Sequence, residues 1–191
     1  MTAQEFWNNF KAIFEDENKK TTAIEKWHSY SEYTKFILDE LESILSTDKL
    51  DPSREYYRID LIGYKDKRNG ETLLIPDYKF KNYKWDLEVA IEHENSSYNW
   101  LDEIIKLLHI NCPLRIVIGY IPIIQKENHA RYFDAILKNI SNLNAYKTLQ
   151  DNAFLIIIGD SECGSDKRKF CHYTAYVFDK NVGQFAKIGE F

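Results

Sequence analysis

The segment Trp85–Asn95, WDLEVAIEHEN, decides how this chain folds and where its chemistry lies. Read as a strand, its side chains alternate between two faces. Leu87, Val89, Ile91 and His93 then share one face, and Glu88, Ala90, Glu92 and Glu94 share the other. Carboxylates at i and i+2 stand about 7 Å apart and repel one another. A solvated edge strand relieves that repulsion, and so does a divalent cation that both can approach; taken alone, the strand leaves both open.

Working outward, residues 97 to 109 return to helical spacing with Leu101, Ile104, Ile105 and Leu108, and PLRIVIGYIPII follows as an apolar run of buried-strand type. Strand, helix and strand over residues 85 to 121 predict a right-handed parallel crossover. A further helix carrying Phe133, Ile136, Leu137, Ile140 and Leu143 leads to AFLIIIGD, another buried strand, and a last strand runs from about Tyr173 to Phe178. Upstream, EYYRIDLIGYK and TLLI read as two strands joined at the Asn69-Gly70 turn. Two amphipathic helices precede them. Residues 3 to 16 carry Phe6, Trp7, Phe10, Ile13 and Phe14 behind a Thr2/Glu5 capping box, and residues 31 to 46 carry Tyr33, Phe36, Ile37, Leu41, Ile44 and Leu45. The expected fold is α/β over residues 1–191 as one domain: a mixed central sheet flanked by helices, with further helices at the N-terminus.

Composition agrees with a packed globular chain of 191 residues: 44% of residues are hydrophobic and 15% aromatic, with only 7 Gly and 4 Pro to interrupt the elements. The N-terminal stretch lacks a signal-peptide pattern, and no apolar run approaches a membrane span, so a cytoplasmic protein with no membrane association is expected. Cys112, Cys163 and Cys171 show no CxxC spacing. Reduced thiols are a better reading than a disulfide framework or a zinc site built from Cys163, Cys171 and His172. A net charge of −5 gives no long-range attraction for polyanions, so nucleic-acid binding needs a local basic patch or a partner.

Two more carboxylates occupy apolar contexts. Asp60 lies in RIDLIGY between Ile59, Leu61 and Ile62, and Glu40 falls inside the apolar stripe of the second helix between Tyr33, Phe36 and Ile44. A carboxylate buried without a partner costs several kcal/mol, roughly, so each needs a cation or a hydrogen-bond donor. Asp60 on one strand and an acidic pair on a following strand, then a helix and an apolar strand, form an arrangement that resembles the PD-(D/E)XK nuclease superfamily, over roughly residues 31–121.

The resemblance implies a restriction-endonuclease-like core around Mg²⁺ (or Mn²⁺), with Asp60 and Glu92 as metal ligands and Glu40 matching a helix glutamate that some members add. Glu94 stands where the motif lysine is expected, a departure shared by some type II restriction endonucleases, which leaves the general base open. Lys106, on the following helix, is disfavoured as a substitute because its helical angle sets it opposite the Leu101, Ile104 and Leu108 stripe. The implied activity is magnesium-dependent hydrolysis of phosphodiester bonds in DNA, as an endonuclease of restriction, repair or defence. Lys79, Lys81 and Lys84 interleave with aromatics in YKFKNYKW as a candidate nucleic-acid contact, although a half-buried strand gives the same pattern. The alternative is a non-catalytic nuclease-fold module that binds a protein partner or forms a homodimer.

Overall fold

A computed structural model describes residues 1–67, 85–95, 100–121, 129–151, 153–160 and 172–191. Three helices open the chain: α1 (Ala3–Glu15), α2 (Glu17–Lys26) and α3 (Tyr30–Thr47). Each start is fixed by a side-chain cap. Thr2 and Glu5 form the capping box of α1, Asp16 accepts from the backbone of Asn18 and Lys19, and Ser29 accepts from Glu32. The remaining elements are β1 (Asp51–Tyr56), β2 (Ile59–Asp66), β3 (Trp85–His93), α4 (Trp100–Leu108), β4 (Leu114–Ile121), α5 (His129–Ile140), α6 (Asn144–Lys147), β5 (Phe154–Asp160), β6 (Tyr173–Asp179) and β7 (Gln184–Glu190).

The seven strands lie side by side in chain order, so every strand pairs with its neighbour in sequence. Pairing is antiparallel across β1–β2–β3 and across β5–β6–β7, and parallel across β3–β4–β5. The parallel pairs are the ones whose connections contain helices, because a parallel return needs a crossover long enough to span the sheet. One face buries Phe6, Phe10, Tyr33, Ile37 and Leu41 of α1 and α3 against Leu61, Ile91, Ile116, Ile118 and Tyr173. The other packs Trp100, Ile104 and Leu107 of α4 and Ile136 and Ile140 of α5 against Ile62, Ala90, Val117, Ile156 and Ile158. A fully buried side chain of this size contributes about 1.5–3 kcal/mol, so each face supplies substantial stability.

The expected mixed sheet flanked by helices is present, and several elements differ from the sequence reading. The run from Glu55 is not one strand: it turns at Tyr57 and Arg58, both with left-handed backbone (φ 49° and 64°), separating β1 from β2. Helix α2 and strand β7 are additional. A register shift between Gly63 and Tyr64 carries Leu87 and Trp85 to the α4 side, whereas Val89 and Ile91 face α1 and α3. The Asn69-Gly70 turn, the TLLI strand, Lys79, Lys81, Lys84, Cys163 and Cys171 lie outside the described residues.

Gly159 on β5 shows how closely the α1/α3 face is packed. A Cβ there would lie 2.7 Å from ring carbons of both Tyr120 and Tyr173. Gly159→Ala is expected to lower stability by about 1–3 kcal/mol through overpacking, read as a lower urea midpoint at unchanged m-value; an unchanged midpoint would show that the two rings yield freely.

Candidate functional site

The site is assembled where the β1–β2 hairpin brings β2 against the end of β3. Glu55, Tyr57 and Arg58 all adopt positive φ, which costs a residue with a Cβ roughly 1–2 kcal/mol, so the hairpin is tightly determined by its surroundings. β2 and β3 pair Leu61 with Ile91 and Ile62 with Ala90. One step further along the same antiparallel register, Asp60 faces Glu92. Both then lie on the α4 side of the sheet, with Ile62 and Ala90. Like charges directly opposite each other across two strands repel, and here Glu92 is only 2% exposed while Asp60 is half-buried.

Two groups hold the two carboxylates. Oδ2 of Asp60 accepts the backbone N–H of His93 at 2.8 Å. Nζ of Lys106, from α4, lies 2.8 Å from Oε1 of Glu92, and the same ammonium pairs with Glu103 one turn earlier. It also donates to the carbonyl of Arg58 at 3.0 Å, which ties α4 to the hairpin turn. The engaged oxygens of Glu92 and Glu103 are buried with no other donor among the described residues, so the Lys106 ammonium is what compensates them.

The electrostatics follow from this crowding. Burial pushes the Glu92 carboxyl up to about 8; Lys106 pulls it down and Asp60 pushes it up again. Burial also raises Asp60 above the usual carboxylate range, against the lowering effect of the His93 N–H and of Lys106. For Lys106, burial works against the charged form, yet Glu103 and Glu92 together raise its pKa above the ordinary lysine value.

The structure thus brings Asp60 and Glu92 together and adds Lys106 and Glu103, which sequence reasoning passed over or set aside. Lys106 does lie off the main apolar stripe of α4. Its flexible four-carbon stem nonetheless carries the ammonium back to the end of β3, a reach that helical angle alone does not measure. Glu94 is half-buried one residue past β3, and the charges that move Glu92 most are Lys106, Asp60 and Glu103. Among the described residues no three His, Cys, Asp or Glu side chains stand close enough to hold a metal, so the expected convergence of Asp60, Glu92 and Glu94 on one cation is not found.

Glu40 is also elsewhere. It pairs with Lys19 of α2 at 2.6 Å, on the side of the sheet that α1 to α3 cover. Its burial did demand a partner; that partner is a lysine on a helix whose weak apolar pattern hid it. Asn95 reaches back to the Tyr30 carbonyl at 3.3 Å and to the Thr34 hydroxyl on α3, and Trp100 belongs to the α4 core.

His93 joins the two faces. While its backbone N–H holds Asp60, its side chain points the other way, where Nε2 meets Tyr120 OH at 2.9 Å, and the hydroxyls of Tyr120, Tyr173 and Tyr33 continue the chain of contacts. Its Nδ1 is buried with no hydrogen-bond partner. Burial alone holds its pKa down at about 3, so the ring is neutral at ordinary pH. Cys112 is buried and its thiol is pushed up to about 11, which makes it a poor nucleophile. No helix of the described residues is long and apolar enough to cross a membrane. Compared with known proteins, the chain matches no family model, no curated protein and no solved structure.

Proposed function

We propose that this chain is a metal-dependent phosphodiester hydrolase acting on DNA in the cytoplasm, with a restriction-endonuclease-like core of the PD-(D/E)XK type in which Lys106 takes the part of the motif lysine. The observation that carries this reading is the cross-strand pair of Asp60 and Glu92 with Lys106 Nζ 2.8 Å from the glutamate. An acid on one strand, an acid on the next and a lysine beside the second acid are the parts such chemistry uses. Here the lysine arrives from the helix that follows, and Glu94 stands in its usual place.

The residues present fit a hard divalent cation. Two adjacent carboxylates suit Mg²⁺, which is commonly bound through one or two protein carboxylates and completed by waters and phosphate oxygens. Oε1 of Glu92 already lies 2.8 Å from the Lys106 ammonium, so a bound cation would share this carboxylate with the lysine. Asp60 and Glu92 would hold the ion, which when bound would polarise the phosphate and lower the pKa of a coordinated water. The chain's own residues do the rest. The His93 N–H fixes the orientation of Asp60, burial under α4 keeps bulk water from Glu92, and the Lys106 ammonium supplies a positive charge where charge develops on the phosphate.

A second reading, a non-catalytic nuclease-fold module for a protein partner or a second copy of the chain, is favoured by one observation: Lys106 already compensates Glu92 and Glu103 without any metal. Calorimetric titration with Mg²⁺ and Mn²⁺, run beside a cleavage assay on single- and double-stranded DNA, separates the two. The nuclease reading expects metal binding and cleavage that Glu92→Ala abolishes, with stability in metal-free buffer equal or higher because one of several clustered carboxylates is gone. Wild-type protein that neither binds metal nor cleaves would end it.

A further inference from the structure

On the α4 side of the sheet, four aromatic rings stand in a row. Tyr57 meets Tyr56 at 4.6 Å between ring centroids, Tyr56 meets Trp85 at 5.2 Å, and Trp85 meets Tyr64 at 5.1 Å. Tyr56, Tyr64 and Trp85 are only partly buried, on the core cluster that also holds Ile62 and Ala90, so the row shares its face with Asp60 and Glu92. At its outer end Tyr57 is 82% exposed, the most exposed large hydrophobic side chain among the described residues.

Two features set this row apart from ordinary edge-strand packing. First, Tyr57 and Arg58 form the hairpin turn with left-handed backbone, where Asn or Gly fits at no steric cost. Tyr57 gains little burial there, so folding alone does not account for an aromatic residue at this position. Second, Arg58 is exposed, and no carboxylate among the described residues pairs with its guanidinium. Its own carbonyl is held by Lys106, the lysine that pairs with Glu92. A cation beside an exposed ring and three half-buried ones, two contacts from the acidic pair, suits a ligand that carries phosphates and flat apolar faces together.

We infer that Tyr57, Tyr56, Trp85 and Tyr64 with Arg58 form a platform for single-stranded nucleic acid, on which unstacked bases lie against the rings and Arg58 takes a phosphate, directing the strand toward Asp60 and Glu92. The inference rests on the nuclease reading for its direction, and it names the substrate class of that site. Stacking on aromatic rings tolerates any base sequence, whereas a paired duplex keeps its base faces hidden, so the platform favours unpaired strands. With a net charge of −5 the molecule offers no long-range attraction, so binding of the strand rests on local contacts of this kind.

The test measures binding apart from cleavage. Fluorescence anisotropy of a fluorescein-labelled oligothymidylate about 20 nucleotides long, in low-salt buffer with EDTA, is compared with a duplex of equal length. Single strand is expected to bind more tightly than duplex. Tyr57→Ala should weaken single-strand binding about tenfold and Tyr57→Phe should preserve it, as expected for one lost stacking contact. Arg58→Gln should weaken binding and flatten its salt dependence by roughly 0.7 in the log–log slope, the share of one phosphate contact on a single strand. Both residues are exposed, so these variants fold. Equal affinity for duplex, binding indifferent to Tyr57→Ala, or no binding to the oligothymidylate overturns the platform. Glu92→Ala should bind the strand at least as tightly as wild type. Tyr57-dependent binding by a protein that cleaves nothing with Mg²⁺ therefore upholds the platform while the nuclease reading falls.

Discussion

Between pH 7 and pH 4 the wild-type protein is expected to lose about 3 kcal/mol more stability than a His93→Gln variant. The imidazole of His93 is buried and held at about 3, well below its ordinary value near 6.5. Below pH 6.5 the unfolded chain takes up a proton that the folded one refuses. The contribution is therefore complete above pH 6.5 and is lost as pH falls toward 3. Glutamine offers Tyr120 a hydrogen-bonding group of similar reach and does not titrate, so the difference between the two proteins isolates the ring from every carboxylate that titrates over the same range. Urea denaturation at several pH values reads it directly. Parallel stability curves would mean that His93 is protonated inside the fold, through a partner for Nδ1.

The other large effect belongs to Lys106. On the proposed mechanism, Lys106→Met should lower Mg²⁺-dependent cleavage by about 10²–10⁴, the usual range for removing a positioned acid–base or charge-stabilising group. Its stability effect should depend on pH, with a definite sign. Burial raises Glu92 to about 8, so the stability linked to this carboxyl is fully present below its unfolded value near 4.5 and is lost as pH rises through 8. Removing the ammonium raises Glu92 further. The variant should therefore lose the Glu103 and Arg58 contacts at every pH and lose further stability as pH rises through 8, where Glu92 ionises without its ammonium. The loss should be about 1–2 kcal/mol, below the 3–5 typical of breaking a fully buried pair, because Lys106 is 34% exposed and partly screened. Full cleavage by Lys106→Met would remove lysine from the mechanism, and a stability loss equal at all pH values would show that the ammonium does not stabilise the ionised Glu92.

Much of the frame was legible in the residues because the strongest patterns belong to its centre. β4 and β5 are nearly continuous apolar runs, and the aromatic stripe of α1 and the leucine and isoleucine stripe of α3 match helical spacing turn after turn. The edges were harder. β1 ends in a turn built from Tyr57 and Arg58, which carry none of the glycine or asparagine chemistry that announces a hairpin. α2 buries a single residue, Ala23, so its polar sequence offers no stripe to follow.

The site shows the same division. Asp60 and Glu92 could be read because an isolated acid in an apolar strand is costly, and strand parity says which face it takes. The partners of the acids could not be read, because Lys106 reaches Glu92 and Lys19 reaches Glu40 through long flexible stems, and neither contact follows from the periodicity of its own helix.

The strictly sequential order of the sheet bears on how the protein is made. Each strand finds its partner in the strand synthesised just before it, so the sheet can extend one ladder at a time behind the ribosome, without waiting for a strand from the far end of the chain. The aromatic face of α1 follows a different schedule. Phe10 rests edge-on against Tyr173, with ring centroids 5.1 Å apart, and Phe14 lies 5.0 Å from the same ring. The first helix to be synthesised therefore waits for the sixth strand to cover it, and through most of translation the nascent chain carries an apolar surface that a chaperone would recognise.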